Sequence, residues 1–317
     1  MATAFSPSNS VTTTTADKFI PDIWSDEIVA AYKKNLVLAN LVMKMNFKGK
    51  KGDTIHIPAP TRGSASAKAA EAAVTLIAAT ESEVTVSINK HYEYSRLIED
   101  IVEAQALNSL RNFYTSDAGY ALAKQVDTDL VQLGRSTNGG GGTNAYATGA
   151  FIGGDGTSAY VAASNNESAL TDAAIRRTIQ RLDDTDTPMD QRFFLIPPSS
   201  RNTLMGLARY TEQAFVGGTN STIRTGEIGN LYGIPVFVSS NCDTASGSNA
   251  ARVCLMGHRD AVVLVEQVAV RSQVQYKQEY LATLFTSDTL YGVQILRSAA
   301  SVSAAKSASM FALLVPA

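Results

Sequence analysis

The stretch IEDIVEAQALNSLRNFYTSDAGYALAKQVDTDLVQLG, residues 98–134, is the part of the sequence that decides the fold. Its second part, residues 108–133, contains no proline and a single glycine, Gly119. Apolar residues recur there at spacings of three and four, the period of an amphipathic α-helix. They are Leu110, Phe113, Tyr114, Ala118, Ala121, Leu122, Val126, Leu130 and Leu133. The pattern predicts a helix about 39 Å long, and Gly134 with the polar residues after it is expected to end the helix.

A helix of this length cannot bury its own apolar stripe, so other parts of the chain are expected to pack along it. The segments before it read as a long hairpin. Residues 48–58, KGKKGDTIHIP, contain a turn and then alternating polar and apolar residues. Residues 83–90, EVTVSINK, alternate in the same way and are the expected partner strand. Residues 59–82 are rich in Ala, Ser, Thr and Gly and cannot form a core, so we expect a protruding tip that reaches for a partner.

The N-terminal part of the chain, residues 1–47, reads as an arm. Residues 20–47 begin with Pro21 and several acidic residues, which suit the first turn of a short amphipathic helix. The only tryptophan, Trp24, lies in this segment. Two interpretations stay open, a helix packed on its own core and an arm packed on a neighbouring subunit. Residues 1–19 are Ser/Thr-rich, do not resemble a signal peptide, and are expected to be disordered until something orders them.

The segments after the long helix contain glycine runs, at residues 139–142 and 153–156. Neither run matches the spacing of a nucleotide-binding loop, so residues 135–168 are interpreted as a flexible surface insertion. Residues 171–182, TDAAIRRTIQRL, predict a second helix capped by Thr171. The acidic run at residues 183–186 is interpreted as a solvated turn and not as a metal site.

An α/β pattern follows. Residues 192–196, RFFLI, predict a buried strand that ends at Pro197 and Pro198, and Ser199 or Ser200 is expected to cap a helix through Tyr210. Further strands are predicted at residues 234–238 and 253–256, with a helix or turn at residues 259–266. From Val268 the residues alternate again and predict a long antiparallel hairpin, with its turn near residues 286–288.

Composition excludes several classes of protein. The chain has 317 residues, 45% of them hydrophobic, and a net charge of −2. This is enough for one large or two ordinary domains, without the basic charge of a nucleic-acid binder. Cys242 and Cys254 are too few for a disulfide framework and fit a reducing compartment. No apolar run of membrane-spanning length occurs, so no contact with a membrane is expected.

The residues that usually carry chemistry are not arranged for it. His56, His91 and His258 lie in no HExxH pattern, the two cysteines have no CxxC spacing, and no serine lies in a GxSxG motif. We therefore expect no enzyme activity, no catalytic residue, no cofactor and no metal.

The order of these elements resembles the tailed-phage major capsid protein, an α+β fold named after bacteriophage Hong Kong 97. Each segment that carries the resemblance is a packing pattern, so the indication comes from the ordered set, which spans nearly the whole chain. The segments are FIPDIWSDEIVAAYKKNLVLANLV (19–42), GDTIHIP (52–58), LIPPSSRNTLM (195–205), GNLYGIPVFVSSN (229–241) and LYGVQILR (290–297).

The resemblance implies a division of the chain into the parts that the family shows. These are an N-terminal arm (1–47), an extended E-loop hairpin (48–95), a P-domain with the spine helix (96–184), an A-domain (185–262), and long P-domain strands with a C-terminal return (263–317).

The resemblance also implies the function of a major capsid protein. Pentamers and hexamers of the chain would form an icosahedral phage head in the virion, after assembly in the host cytoplasm. The head would enclose double-stranded DNA without binding it tightly, which agrees with the near-neutral charge. Portal, scaffolding and decoration proteins would be further partners. An encapsulin-type shell that encloses cargo enzymes is the alternative, since it uses the same fold.

Two segments of opposite charge are candidates for contacts between subunits. Residues 28–52 contain six lysines and no acidic residue, whereas residues 98–133 are mainly acidic. In the family the E-loop of one subunit lies across the P-domain of the next. We therefore expect Lys48, Lys50 and Lys51 to meet Glu99, Asp100 and Glu103, across a subunit boundary or within one subunit.

Overall fold

The computed structural model describes residues 37–49, 51–59, 65–71, 73, 74, 76, 82–100, 109–136, 151–161, 166–207, 229–242, 251–297 and 309–317. The expected N-terminal helix and the first glycine run, residues 139–142, lie outside the described residues. The described helices are α1 (Leu38–Leu41), α2 (Ser109–Ser136), α3 (Asp172–Asp184) and α4 (Pro198–Met205). The described strands are β1 (Met43–Asn46), β2 (Thr54–Ala59), β3 (Ser82–Ser87), β4 (Lys90–Glu99), β5 (Phe151–Ile152), β6 (Arg192–Ile196), β7 (Asn230–Leu231), β8 (Ile234–Val238), β9 (Arg252–His258), β10 (Val262–Lys277), β11 (Ala282–Ile295) and β12 (Met310–Val315).

The described strands form two large sheets and a separate two-stranded ladder. One large sheet has the order β1-β10-β11-β4, and the other has the order β5-β12-β9-β6-β8-β7. Strands β2 and β3 pair only with each other. The chain passes from β9 in one sheet to β10 in the other through a three-residue turn, Arg259–Ala261. This short link holds the two sheets close together.

Helix α2 lies between the two sheets and supplies the main core. Its residues Leu130 and Val131 are fully buried against residues from both sheets. Leu255 of β9 and Leu314 of β12 come from the six-stranded sheet, and Leu264 of β10 comes from the four-stranded sheet. The prediction of a long helix on which other segments pack is therefore confirmed.

The end of α2 differs from the expectation. Gly134 does not end the helix, which continues to Ser136. A Cβ atom at position 134 would lie 2.9 Å from Leu255 Cδ1 and 3.0 Å from Met310 Sδ. The glycine is thus required for close packing of the helix on β9 and β12, and it has no role as a cap.

The hairpin predicted before α2 is confirmed in part. Strands β2 and β3 pair antiparallel from Thr54↔Ser87 to Ala59↔Ser82. The partner strand ends at Ser87, however, and a second strand, β4, begins at Lys90 and pairs with β11 along its whole length. The sequence pattern did not predict β4, because the polar and aromatic residues of HYEYSRLIE show no clean alternation.

Two expectations in the C-terminal part are wrong. Residues 259–266 form only the short turn before β10, and from Val262 they are strand. The hairpin turns at Gln278–Leu281, where Leu281 has a positive φ of 44°, and not at residues 286–288. Asp288 instead lies inside β11, where its carboxylate accepts hydrogen bonds from Arg271 at 2.8 and 2.9 Å. This cross-strand pairing explains an acidic residue in mid-strand that the sequence made look like a turn.

Two further corrections concern turns and caps. Residues 153–156 form a tight turn against α3 and no flexible insertion, since a Cβ at Gly156 would lie 2.8 Å from Ala174 Cα. The acidic run begins inside α3, and Asp183 pairs with the buried Arg192 at 2.8 Å. Helix α4 begins after Pro197 without a side-chain cap and ends at Met205, so neither serine caps it. Thr171 does cap α3, as predicted.

We predict that Gly134→Ala destabilises the unassembled subunit by about 1–3 kcal/mol, because the added methyl group overpacks the contact with Leu255 and Met310. The matched control lies in the same helix: nothing lies within 4 Å of a Cβ at Gly119. Gly119→Ala should therefore stabilise the helix by about 0.5–1 kcal/mol. Urea denaturation measures both changes, and a Gly134→Ala subunit as stable as Gly119→Ala would contradict the packing role.

Candidate subunit interfaces and the carboxylates behind them

Asp127 on α2 joins three parts of the chain through one buried carboxylate. Its Oδ1 accepts a hydrogen bond from the backbone N–H of Ala39 in α1 at 3.3 Å. Its Oδ2 accepts a hydrogen bond from Asn241 Nδ2, just after β8, at 3.0 Å. Asp127 is 1% exposed, so these bonds replace the water that an ionised carboxylate otherwise needs. The N-terminal part of the chain and the six-stranded sheet are thereby fixed to the same point of the helix.

Asp129 makes the corresponding connection to the four-stranded sheet. Its Oδ2 accepts a hydrogen bond from Tyr291 OH of β11 at 2.7 Å and lies 3.0 Å from Lys90 Nζ of β4. Its Oδ1 accepts from Gln125 Nε2 at 3.0 Å. Burial and the hydrogen bond to this carboxylate raise the pKa of Tyr291 well above its usual value. Lys90 is the first residue after the β2–β3 hairpin region, so Asp129 also anchors the chain where the hairpin ends.

The acidic residues of α2 are therefore used inside the subunit. Asp117 accepts a hydrogen bond from Tyr94 OH at 3.0 Å, and Asp127 and Asp129 have the partners described above. They are not part of a charged face that could meet a neighbour. The sequence contained a signal for this, because both buried acids lie within the apolar stripe, next to Val126 and Leu130.

The tip of the hairpin is the first surface available to a neighbour. Val74 is 68% exposed and Leu76 is 87% exposed. On the β2–β3 ladder, His56 pairs with Glu83 at 3.0 Å in an exposed position. At the opposite end of β3, Val86 is completely buried. The hairpin is thus fixed at one end and presents apolar side chains to solvent at the other.

The far end of the four-stranded sheet is the second surface. Strand β1 covers the edge of β10 only from Val263 to Glu266, and most of the strand beyond it is exposed. Apolar side chains exposed there are Val270, Val274, Tyr276, Tyr280 and Leu281. A concentration of exposed apolar residues at the end of a sheet is typical of an interaction site.

The structure places the predicted charged residues at opposite ends of this sheet. Lys48 follows Phe47, whose backbone N–H bonds to the carbonyl of Glu266, and Glu266 pairs with Tyr291. Glu99 pairs with Ala282 at the other end of β11. The nine residues between these two positions of β11 span about 30 Å. Lys48 and Lys51 therefore cannot reach Glu99 or Asp100 within one subunit, and only a contact between subunits stays a prediction.

Three of the predicted contact residues, Trp24, Lys50 and Glu103, lie outside the described residues. Lys48, Lys51, Glu99 and Asp100 are exposed. The carboxylate of Asp100 accepts a hydrogen bond from Tyr276 OH at 2.7 Å. This bond connects the acidic group to the exposed apolar residues at the end of the sheet, a neighbourhood that sequence reasoning missed because residues 100 and 276 are far apart in the chain.

The residues with possible chemistry have structural surroundings. His56, His91 and His258 all lie on strands. Cys242 and Cys254 are free and buried, and burial raises the pKa of the Cys254 thiol to about 12. Within the described ranges, no group of His, Cys, Asp and Glu side chains is placed to hold a metal ion. None of the described helices combines the length and apolar character needed to cross a membrane.

Comparison with known proteins gives a consistent result. A model of the phage capsid family matches residues 17–304. A structure of Mycobacterium phage Che8 is 20% identical, with a TM-score of 0.72 and coverage of 93% of this chain and 97% of that chain. The capsid of cyanophage P-SCSP1u is 19% identical, with a TM-score of 0.73 and coverage of 99% of both chains. The acidic stable capsid structure of Helicobacter pylori bacteriophage KHP30 is 12% identical, with a TM-score of 0.68 and coverage of 98% and 100%.

These structural similarities show that the chain shares the fold of the phage capsids. No curated protein matches the chain.

We predict that Asp129→Ala destabilises the unassembled subunit by about 1–3 kcal/mol, because Lys90 and the buried Tyr291 hydroxyl lose their common acceptor. The matched control replaces the whole group with apolar residues: Asp129→Leu with Lys90→Met and Tyr291→Phe. This variant should lose less stability than Asp129→Ala, since no polar group is left without a partner. Urea denaturation compares them, and an Asp129→Ala subunit within about 0.5 kcal/mol of the unmodified one would show that the carboxylate is not needed.

Proposed function

The chain belongs to the phage capsid family, and we propose that it forms pentamers and hexamers in which the β2–β3 hairpin of each subunit lies on the next. Its function is that of the major capsid protein of a phage head, and its location is the virion capsid. It assembles into a shell with further copies of itself, a structural role. The alternative of a shell that encloses cargo enzymes has no support, because the family and the structural neighbours described above are phage capsids.

The observation that supports the role of the hairpin is the contrast between its two ends. Val86 is buried beside Val263 and Val265 of the four-stranded sheet, whereas Val74 and Leu76 near the tip are exposed. Exposed apolar side chains on a protruding hairpin add nothing to the stability of their own subunit. They gain free energy only when another surface covers them, at about 25 cal/mol for each Å² that is buried.

The arrangement of sheets suggests which parts correspond to the domains of the family. We assign the four-stranded sheet with α2 to the P-domain and the six-stranded sheet to the A-domain. Because β4 is part of the four-stranded sheet, the E-loop would end at Asn89 and not at residue 95. Strand β12, at the C-terminus, pairs with β9 and would return the chain to the A-domain.

Charge supports a contact between the start of the hairpin and the far end of a neighbouring sheet. Lys48 and Lys51 are exposed beside the hairpin, and Glu99 and Asp100 are exposed about 30 Å away along the sheet. Such a separation suits a head-to-tail contact between neighbours in a ring, where one end of each subunit meets the other end of the next. Exposed pairs contribute only about 0.2–1 kcal/mol each, but repetition at every contact of a shell would set register.

The remaining partners follow from the capsid role. Portal, scaffolding and decoration proteins are the further proteins that a head of this kind would bind. The enclosed double-stranded DNA would be bound weakly, because a net charge of −2 provides no excess of cations to pair with phosphates.

Deletion of residues 62–80 tests the role of the hairpin. We expect the unassembled subunit to keep its free energy of unfolding within about 0.5 kcal/mol, because the buried base of the hairpin is left intact. Shell formation, followed by light scattering and electron microscopy, should fail. Met189, which is 78% exposed on a different part of the subunit, provides a control: Met189→Ser should assemble normally. Normal shells from the deletion variant would rule out the proposed role.

Charge reversal tests the contact between the two clusters. Lys48→Glu with Lys51→Glu should slow assembly, and adding Glu99→Lys and Asp100→Lys should restore part of the rate. Both effects should weaken at 1 M salt, where the screening length is about 3 Å. Arg177→Glu on α3 serves as the control for a change of charge elsewhere. If the combined variant assembles no faster than the lysine variant, the clusters do not face each other.

A further inference from the structure

The hairpin crosses the four-stranded sheet at a glycine. Gly292 lies in β11 and is buried. A Cβ atom at this position would lie 2.5 Å from the carbonyl oxygen of Ser87 and 3.2 Å from Ile88 Cα. Both contacts are with backbone atoms of the chain that leaves β3, so no rotamer change can relieve them. The backbone of the hairpin therefore rests directly on the backbone of the sheet.

Several further contacts hold the hairpin at this crossing. Val86 and Ile88, on either side of Ser87, are buried against the sheet. The backbone N–H of Ile88 bonds to the carbonyl of Asp53 at 2.7 Å. Gln267 Nε2 of β10 donates to the carbonyl of Gly52 at 3.0 Å. We call Gly52, Val86, Ile88, Gln267 and Gly292 the hairpin seat.

The chain is fixed again immediately after the seat. Lys90, three residues beyond Ser87, lies 3.0 Å from Asp129 on α2, and β4 then continues along β11. The hairpin is thus supported at two points, Gly292 and Lys90, and extends freely beyond the first. In such an arrangement the height of the first support determines the direction of the free end.

We infer that Gly292 is a positioning residue for assembly: the absence of a side chain there sets the angle at which the hairpin leaves the subunit. Strand geometry gives the size of the effect. Ser87 lies about 10 Å from Lys90 along the chain, and Ser82 lies about 26 Å from it. A lift of about 1 Å at Ser87, which an ordinary Cβ contact requires, moves Ser82 by roughly 2.6 Å and the tip by more.

A displacement of this size is larger than a packed interface accepts without loss of contacts. If it removes about 1.4 kcal/mol from a subunit contact, the association constant of that contact falls about tenfold. Gly292 would therefore affect shell formation from a position that touches no neighbour itself. This inference rests on the proposed role of the hairpin in assembly.

Three glycine-to-alanine variants separate this role from simple packing. Gly292→Ala should keep the subunit folded and reduce the yield of closed shells about tenfold or change their diameter. Gly119→Ala, where the new methyl group meets nothing within 4 Å, should assemble normally. Gly134→Ala changes core packing on the opposite side of the subunit and should lower thermal stability without altering the hairpin. Unchanged shells from Gly292→Ala, or failure of that variant to fold, would overturn the inference.

A distance measurement tests the angle independently of assembly. Spin labels can be attached at Lys68→Cys near the tip and Asp184→Cys at the end of α3, both exposed. Cys242 and Cys254 are buried and their thiol pKa values are raised, so they should not react. Gly292→Ala should shift the mean distance by several ångströms, and Gly119→Ala should leave it unchanged. An identical distance in both variants would overturn the seat even if assembly were impaired.

The two measurements distinguish failure of this inference from failure of the proposed function. If the hairpin has no part in assembly, deletion of residues 62–80 leaves the shells intact, and the distance shift at Gly292→Ala still reports on the seat. If the hairpin directs assembly but Gly292 does not position it, the deletion abolishes shells while the distance stays constant.

Discussion

Burial of two carboxylates on one helix is the constraint on which the described structure depends. Asp127 and Asp129 are two residues apart, which places them about 200° apart around α2. An ionised carboxylate without a partner is costly to bury, so each side of the helix must meet a matching group. Ala39 and Asn241 are the partners on one side, and Lys90 and Tyr291 are the partners on the other. Rotation or sliding of the helix would leave both charges unpaired, and the arrangement of the two sheets is therefore specific.

This internal rigidity leaves the remaining parts of the subunit free to serve assembly. The described residues with large exposed apolar side chains are concentrated at the hairpin tip and at the far end of β10 and β11. Neither surface encloses a pocket or gathers groups suited to catalysis. A capsid subunit gains its function from the fit between such surfaces on many copies, and a rigid support behind each surface reduces the entropy lost when copies associate.

The sequence was most informative where the pattern is local. The three- and four-residue spacing of apolar residues predicted α2, and Thr171 predicted the start of α3. Gly134 was misread because a glycine that ends a helix and a glycine that admits a neighbouring side chain look the same in sequence. Asp288 was misread as a turn residue because its partner, Arg271, lies on another part of the strand pair. Asp127 and Asp129 were interpreted as surface charges for the same reason, since Asn241 and Lys90 are distant in the chain.

The central claim is that the subunit forms closed shells in which each hairpin lies on a neighbouring copy. Electron cryomicroscopy of particles assembled from the purified chain tests it most directly. The account predicts closed particles in which residues 65–76 of one subunit cover the exposed apolar end of the four-stranded sheet of the next. Particles in which the hairpin packs on its own subunit, or a protein that stays monomeric under all assembly conditions, would contradict it.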